Sequence, residues 1–577
     1  GIFFCPRRHG IFTSSRIMSD PARKKAKHDD AGRKRVPLNK KIEACVYTKD
    51  LRTALEVFQQ LDEGNLVNEY SLGNMLNVAV RCGSTEVFDR IFARCRAYGK
   101  MNVEICTIAL KGFFELSRPA EAQQLWDQMV DPEDEQVEQP NTRTLNAFIR
   151  GCLTIGEFRA AETVWTKVRT LELADCSSYE YMIALSCQAL WVNRAVNLLK
   201  ELQGSKVNEV SSVAGAGVNI ARAAVLLNNP VLAARGIKFA RRALAREAPE
   251  TTTTGKRGRD GVSEARGRSS TMFSKHRRKT LWEAAGRIEA YFETSPKGTV
   301  VHDKLLIFSE SDAASPVKAL QQQWGIAKLP EPGAVRQRVK ESTSGGKIHW
   351  GKLFGDSTGR REVKLEICSG SGDWVVGQAA ADAGSADWCA MEIRRDRIFH
   401  GLCSAAMAGV GNLAFLCGDA LAILRDRVPP GSVSRIVVSH PEPPQQQNKS
   451  LESQAAHLLM APFFEAAYQC LQPCGTLCIV TDSLWYGQLL CEIASHHKEF
   501  VPLVMGGRRL VGAAGRVRLY SGPPGRESGV DPAAATKSYF AALKETENRK
   551  KSRDAEVKIL VLCKVPQAGH AIWLPGT

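Results

Sequence analysis

Two acidic side chains lie within or at the end of short apolar segments in the second half of the chain. Glu366 belongs to the segment 363–367, and Glu392 ends the segment 388–392. Each segment has the length and the apolar content of a buried strand. A carboxylate at the carboxyl end of such a strand can accept hydrogen bonds from both ribose hydroxyls, so we expect Glu392 to bind the ribose of a cofactor.

A glycine turn follows the first of these segments. Gly370 and Gly372 stand between the segment 363–367 and a stretch up to about residue 383 that is compatible with a helix. The order strand, glycine turn, helix begins a doubly wound α/β sheet, in which glycines let the backbone approach a ligand. A dinucleotide-binding turn would require a third glycine where Val375 stands. This departure favours S-adenosylmethionine as the cofactor over a dinucleotide.

More acidic residues follow apolar segments in the same part of the chain. The segments that predict a five-stranded sheet are 363–367, 388–392, 413–416, 435–439 and 477–482. Asp419 follows the third segment, where an adenine amino group would lie. Glu442 follows the fourth segment between Pro441 and Pro443, whose rings restrict the backbone, and Asp482 ends the fifth. We expect these acids at the carboxyl edge of the sheet, where ligands of such folds bind.

The spacing of these motifs resembles that of the TrmB-type tRNA (guanine-N(7)-)-methyltransferases over roughly residues 350–565. The stretches that carry the resemblance are 366–374, 391–397, 412–420, 430–433, 441–443, 481–482 and 538–540. The resemblance implies a Rossmann-like methyltransferase domain, assigned here to residues 351–577. It also implies transfer of a methyl group from S-adenosylmethionine to N7 of guanine 46 in the variable loop of tRNA.

The resemblance further implies a role for individual residues. Those that would contact the cofactor are Glu366, Gly370, Gly372, Glu392 and Asp419. Those that would contact the substrate nucleotide are Lys449, Asp482 and Ser538. Glu442 would be the catalytic residue, between the cofactor and the guanine. Guanine N7 has an in-plane lone pair and no proton to lose, so its methylation needs positioning and a dry pocket more than a strong base. A carboxylate can also stabilise the positive charge that develops on the purine.

The substrate loop departs from the family pattern. The family has Asn-Phe-Pro-Asp-Pro-Trp where this chain has Ser-His-Pro-Glu-Pro-Pro at 439–444, and its basic loop is replaced by 445–450, in which only Lys449 is charged. The acid expected after 538–540 is Ala541. An alternative therefore stays open, namely a catalytically inactive RNA-binding protein that retains a cofactor pocket.

A period of about 34 residues in the first half predicts helix–turn–helix repeats stacked into an α-solenoid over 37–245. The first-helix positions of the frame are Asn39, Gly73, Thr107, Asn146 and Glu180. The turn positions, ten residues later, are Lys49, Gly83, Ser117, Gly156 and Leu190. The small or apolar positions, fifteen residues later, are Ala54, Phe88, Ala122, Ala161 and Ala195. A sixth unit is expected around Asn219, with Ala234 at the last of these positions.

The stretch 140–152 resembles the pentatricopeptide repeat, whose members bind single-stranded RNA with about one base per repeat. This resemblance implies that bases are read by two sets of positions. The proposed RNA-reading residues are Asn39, Asn68, Thr107, Asn141, Asn146 and Asp175, and Asn102 belongs to the second set. Gly73 and Glu180 are poor readers, which predicts weak sequence specificity. Asn and Asp are also the residues favoured as helix N-caps, and that interpretation stays open.

The charge balance agrees with a nucleic-acid partner. The chain has 78 Lys and Arg against 61 Asp and Glu, a net charge of +17, and such an excess favours a polyanion such as tRNA or single-stranded RNA. Residues 246–280 are interpreted as a basic linker, and 281–350 as an uncertain segment with a helix near 281–292. No apolar run is long enough for a membrane span. The 17 cysteines lack a Cys-x-x-Cys pair and predict buried thiols in a reducing compartment, with no metal site.

The first 36 residues are interpreted as a basic tail or targeting segment. Residues 1–17 contain no acid, as in an organellar transit segment or a translated leader, with Met18 as a plausible initiator. The basic clusters 23–27 and 33–35 resemble a nuclear signal or a nucleic-acid arm, and a disordered basic tail is equally compatible. The prediction is an intracellular protein of the nucleus or an organelle, with the choice left open.

Overall fold

The computed structural model describes residues 21–168, 172–205, 210–246, 264–294, 307–309, 346–355, 361–444, 457–528, 530 and 557–564. The chain divides into two compact units, Gly1–Tyr98 and Gly99–Thr577. Among the described residues, no helix combines the length and the apolar character that crossing a membrane requires.

Helices arranged in sequential pairs make up the described part of the first unit and the beginning of the second. Those of the first unit are α1 (Pro21–Thr48), α2 (Leu51–Glu63), α3 (Glu69–Arg81) and α4 (Thr85–Tyr98). Those of the second are α5 (Val103–Glu115), α6 (Pro119–Val130), α7 (Thr142–Ile155), α8 (Phe158–Val168), α9 (Cys176–Gln188), α10 (Val192–Gly204), α11 (Val210–Leu226), α12 (Pro230–Arg246) and α13 (Glu264–Thr294).

The predicted turn positions all adopt the left-handed backbone conformation, which often ends a helix. Their φ angles are 53° at Lys49, 65° at Gly83, 57° at Ser117, 85° at Gly156 and 55° at Leu190. The residues five positions further on are fully buried, and they are Ala54, Phe88, Ala122, Ala161 and Ala195. The predicted helix pairs are therefore confirmed, whereas their stacking into one continuous solenoid stays a prediction.

The sixth helix pair is shifted by one residue from the predicted frame. The left-handed residue between α11 and α12 is Asn228, with a φ of 46°. Ala233 is buried, whereas the predicted Ala234 is exposed. The predicted register around Asn219 was therefore wrong by one residue, because the left-handed turn falls on Asn228, two residues before Pro230 begins the next helix.

Two of the predicted segments overlap helices. The basic tail predicted for 1–36 overlaps α1, which begins at Pro21. The basic linker predicted for 246–280 overlaps α13, which begins at Glu264. In both cases the helix runs through a cluster of Lys and Arg, which have good helix propensity and do not interrupt a helix.

A mixed sheet forms the core of the second half of the chain. Its strands are β1 (Ile307–Ser309), β2 (Glu362–Ile367), β3 (Ala386–Glu392), β4 (Leu413–Cys417), β5 (Val433–Ser439), β6 (Leu471–Thr481), β7 (Phe500–Pro502), β8 (Leu510–Ala514), β9 (Val517–Ser521) and β10 (Lys558–Lys564). The order is β1-β4-β3-β2-β5-β6-β10-β9-β8, with β7 paired to β10. β1 to β6 pair in parallel, and β10 is antiparallel to β6. The five predicted strands correspond to β2 to β6.

Helices lie between successive strands from β1 to β7, and those between parallel strands are the crossovers that a doubly wound fold requires. They are α14 (Trp350–Phe354), α15 (Asp373–Ala381), α16 (Arg395–Met407), α17 (Ala420–Asp426), α18 (Ala461–Cys470) and α19 (Leu484–Ser495). β3 and β4 are buried along their whole length, which explains why they read as continuous apolar runs rather than alternating patterns. The predicted α/β fold of this region is confirmed.

Candidate active site

The strand order reverses at β2, since β3 and β4 lie on one side of it and β5 and β6 on the other. In doubly wound sheets such a reversal opens a crevice at the carboxyl ends of the strands, where ligands bind. The predicted cofactor and substrate residues that the structure describes lie at or just beyond the carboxyl ends of β2 to β6. The fold therefore brings them to one edge, with the crevice between β2 and β5.

The turn after β2 has a backbone that glycine adopts most readily. The φ angle is 58° at Gly370 and 74° at Gly372. A Cβ on Gly372 would lie 3.2 Å from Gly401 of α16 and 3.2 Å from the ring of Phe415 of β4, so packing also excludes a side chain there. A Cβ on Gly370 would meet nothing within 4 Å. Gly370 therefore faces open space, as a turn that receives a ligand should.

Glu366 is a carboxyl group buried on β2, with an exposed fraction of 1%. Ser439 at the end of β5 hydrogen-bonds to this group, whereas its Oε2 has no partner among the described residues. Burial is the main cause that raises the pKa of Glu366 to about 8; the Ser439 bond opposes it, and the carboxyl groups of Glu392 and Asp373 raise it further. A buried oxygen without a partner is suited to a hydrogen-bond donor supplied by a ligand.

Glu392 ends β3 and joins the glycine turn to the segment after β3. Its Oε2 accepts hydrogen bonds from the backbone N of Gly370 at 3.0 Å and from Arg397 at 3.3 Å. Its Oε1 accepts one from the backbone N of Arg394 at 3.1 Å. A carboxylate offers about four acceptor sites, so Oε1 has room for another donor. Glu392 thus lies where a ribose-binding acid was expected. Three of its roughly four acceptor sites, however, already bind the glycine turn and the segment after β3.

Asp419 follows β4 and is exposed. Its side chain caps α17 by accepting a hydrogen bond from the backbone N of Ala422 at 2.9 Å. Asp is among the best N-cap residues. The cap fixes this carboxylate just beyond β4, the strand that pairs with β3.

Glu442 follows β5 in a turn that its neighbours stabilise. His440 has a left-handed φ of 50°, and its backbone N donates to the carbonyl oxygen of Val480 at 2.9 Å. Pro441 and Pro444 are buried, whereas Glu442 is exposed. The buried prolines anchor the segment and leave the carboxylate at the surface of the carboxyl edge.

The other predicted substrate residues are less well defined. Asp482 directly follows β6 and is half-buried. Its carbonyl oxygen accepts a hydrogen bond from Nζ of Lys558 at 3.0 Å. Lys449 and Ser538 lie outside the described residues.

Sequence reasoning missed a contact between the helical region and the sheet region. Nη1 of Arg222 on α11 is 3.4 Å from Nε2 of His400 on α16, and Cys403 donates to the carbonyl oxygen of Arg222 at 3.5 Å. Burial, and then Arg222, hold the pKa of His400 well below its ordinary value. Burial raises the pKa of Asp373, the first residue of α15, and Arg287 and Arg222 oppose that rise. The helical region therefore contacts α16 directly and acts electrostatically on the first residue of α15.

The second set of predicted RNA-reading positions consists of helix N-caps. Each side chain accepts a hydrogen bond from the backbone N three residues later, at the start of α3, α5, α7 and α9. The capping residues are Asn68, Asn102, Asn141 and Asp175. The N-cap interpretation is therefore confirmed for these four, and their contact with bases stays a prediction.

The first set of RNA-reading positions is also engaged inside the helical region. Oγ1 of Thr107 lies 2.9 Å from Oγ1 of Thr144, and Nδ2 of Asn146 donates to the carboxylate of Asp175 at 3.1 Å. Asn39 is 5% exposed, and its Oδ1 has no partner among the described residues. A base would have to displace existing hydrogen bonds to be read at Thr107 or Asn146.

The sheet region is similar to known methyltransferases. A family model described as "Putative methyltransferase" matches residues 360–505. This match covers β2 to β7 and includes the glycine turn and the residues from Glu366 to Asp482. It supports S-adenosylmethionine as the cofactor of this domain.

Two curated relatives are similar over part of the same region. The tRNA (guanine-N(7)-)-methyltransferase of Chlamydia trachomatis is 38% identical over 94 residues, which is 16% of this chain and 40% of that protein. The enzyme of the same name from Chlamydia muridarum is 33% identical over 138 residues, 24% of this chain and 58% of that protein. The chain thus spans about half the length of the curated relatives it matches. The solved structure of TrmN from Thermus thermophilus is 16% identical, with a TM-score of 0.23, over 40% of this chain and 53% of that one.

Proposed function

We propose that this chain is an S-adenosylmethionine-dependent tRNA (guanine-N(7)-)-methyltransferase, with guanine 46 in the variable loop as the target. The observation that carries the proposal is the group of acids around the switch point, formed by Glu366, Glu392 and Asp373 beside the glycine turn. Similarity to curated enzymes of this name supports the choice of substrate.

The residues at the crevice fit S-adenosylmethionine. This cofactor carries a cationic sulfonium, which carboxylates attract. It also carries an ammonium group and ribose hydroxyls, which donate hydrogen bonds to carboxylates. Oε2 of Glu366 is buried without a partner among the described residues, and Oε1 of Glu392 has acceptor capacity left. Glu366, Glu392 and Gly370 would hold the cofactor, with Asp419 at its far end. When bound, the cofactor supplies the methyl group.

Glu442 is the residue that we assign to the guanine. Guanine N7 attacks with its in-plane lone pair, so no side chain has to remove a proton from it. The carboxylate of Glu442 would accept hydrogen bonds from the N–H edge of the base and stabilise the positive charge that develops on the purine. Its anchoring between buried Pro441 and Pro444 restricts its motion, and such preorganisation lowers the barrier by fixing the angle of attack.

RNA binding by the helical region is part of the proposal. The net charge of +17 and the helix pairs support it. The predicted base-reading side chains already have internal partners, so we expect contacts with the RNA backbone to dominate and sequence specificity to be weak.

A non-catalytic RNA-binding protein is the second candidate function. It is favoured by the substitutions in the substrate loop, where Glu442 replaces the Asp of the similar family and the basic loop is reduced to Lys449. The two functions share the cofactor crevice and differ in whether a methyl group reaches the RNA.

Transfer of a labelled methyl group to unfractionated tRNA separates the two. The full chain should incorporate label from S-adenosylmethionine, and the Glu392→Ala variant should incorporate much less. Wild-type incorporation no greater than that of Glu392→Ala, with tRNA from both nucleus and organelles, would exclude the enzyme. Retained tRNA binding by the same preparation would then favour the non-catalytic function.

A further inference from the structure

Three cations lie together on α5 and α7 in the helical region. Lys111 is on α5, and Arg143 and Arg150 are on α7; all three are exposed. Arg143 and Arg150 are seven residues apart and therefore lie on the same face of α7, about 10 Å from each other along its axis. Ala147 lies between them on this face and is buried.

The packing between α5 and α7 fixes the positions of these cations. The hydroxyls of Thr107 and Thr144 are 2.9 Å apart near one end of the contact. Near the other end, the rings of Phe114 and Phe148 meet edge to face at 5.1 Å. A Cβ on Gly151 would lie 2.2 Å from the ring of Phe114, so the two helices approach as closely as a glycine allows. The cations are thus borne on a rigid pair of helices.

The three cations lie close enough for the two arginines to act electrostatically on Lys111. In the described part of the chain, no ion pair joins Lys111, Arg143 or Arg150 to a carboxylate. Burial, and then Arg143 and Arg150, lower the pKa of Lys111, whereas Glu115 partly opposes this. Keeping like charges together costs stability, and a bound polyanion would recover it.

The helix pair that bears these cations lies next to the cofactor crevice. Glu115, at the end of α5, acts electrostatically on both Lys111 and Arg394. Arg394 immediately precedes α16, and its backbone N donates to Glu392 at 3.1 Å. α7 packs against α16 within the same compact unit. The helix that bears Arg143 and Arg150 therefore packs against the helix that follows the cofactor-binding acid.

We infer that Lys111, Arg143 and Arg150 form one surface that binds the phosphate backbone of the substrate RNA and holds it beside α16. This inference rests on the proposed function, since it takes tRNA as the RNA. Arginine suits this role because its planar fork can donate two hydrogen bonds to one phosphate. The surface would bind the RNA through its phosphates and so position it. Recognition of the target base would then depend on residues of the crevice.

Charge reversal of single residues tests the surface in the full-length protein. Lys111→Glu, Arg143→Glu and Arg150→Glu should each raise the Kd for unfractionated tRNA roughly threefold to tenfold at about 0.1 M salt. Each should also lower the slope of log affinity against log salt by about 1. Affinity for S-adenosylmethionine should stay the same. Neutral Gln variants at the three positions should show smaller changes in the same direction, which covers the case of a reversal that does not fold.

Arg159→Glu is the matched control. Arg159 is exposed on α8, outside the α5–α7 surface, and its substitution changes the net charge by the same amount. Its tRNA affinity should stay within about twofold of the wild-type value. Reversals on α5 and α7 that weaken tRNA binding no more than Arg159→Glu would overturn the inference.

The binding assay contains no cofactor, so it does not depend on catalysis. A wild-type protein that binds tRNA through this surface but transfers no methyl group would refute the proposed function alone. Methyl transfer with an unchanged KM for tRNA in all three reversals would refute the surface alone.

Discussion

The cofactor side and the substrate side of the crevice are built differently. Glu366 and Glu392 are buried in strands, and Glu392 is held by two backbone N–H groups and Arg397. Glu442 and Asp482 follow strands and are more exposed. The cofactor side is thus fixed by the sheet itself, whereas the substrate side depends on the segments between strands. Substitutions on the first side should therefore change the stability or the affinity of a preformed pocket, and those on the second side should change turnover.

The largest effect is expected from Glu366→Gln in the absence of cofactor. In the folded protein the pKa of Glu366 is about 8, above the ordinary carboxyl value, so the folded state binds more protons than the unfolded state between about pH 4.5 and 8. Wild-type stability should fall as pH rises through that interval, and glutamine removes this loss. At pH 8.5 the variant should be more stable by roughly 4–5 kcal/mol, measured by urea unfolding.

Glu465→Gln, on the exposed side of α18, is the control for that comparison and should follow the wild-type pH dependence. An identical pH dependence of the unfolding free energy for Glu366→Gln and wild type would mean that burial does not raise the pKa of Glu366. The cofactor side would then lack the feature that most distinguishes it.

A somewhat smaller effect is expected from Glu392→Ala on cofactor affinity. The substitution removes the acceptor for a ribose hydroxyl and leaves the backbone N of Gly370 without its bond. Loss of charged hydrogen bonds should weaken S-adenosylmethionine binding by about 1–3 kcal/mol in calorimetry. Unchanged affinity in a folded variant would contradict the assignment, and Glu465→Ala should bind the cofactor as the wild type does.

The smallest effect is expected from Glu442→Asp. This substitution restores the residue of the similar family, but it shortens the side chain by one methylene. Since His440 adopts a left-handed backbone and Pro441 is buried, we expect the turn to be adjusted to the longer arm. Steady-state kcat should stay within about twofold of the wild-type value or fall below it. A large gain would show that Glu442 is a poorer catalytic residue than the Asp of the similar family.

The sequence predicted most where the fold follows a pattern that repeats along the chain or a run of apolar residues. β2 to β6 were located because buried parallel strands are continuous apolar runs, and the positions of Glu366 and Glu392 followed from those runs. The left-handed turns followed from the repeat frame, including non-glycine residues such as Lys49 and Leu190.

Long-range contacts could not be predicted in this way. Arg222 and His400 are 178 residues apart in the chain, and no local pattern signals their pairing. The cap role of Asn141 and Asp175 was one of two interpretations, because base reading and helix capping favour the same residue types. Only their hydrogen bonds to the following backbone settle the capping role.

Mass spectrometry of nucleosides from tRNA shows whether this chain methylates guanine at N7. Undermodified tRNA would be incubated with the full chain and S-adenosylmethionine, in parallel with the Glu442→Ala variant at equal cofactor occupancy. We predict 7-methylguanosine with the wild type and a fall in turnover of about a hundredfold in the variant, whose cofactor affinity should be unchanged because the carboxylate acts mainly in the transition state. No 7-methylguanosine above the level of Glu442→Ala, across tRNAs from nucleus and organelles, would contradict the account.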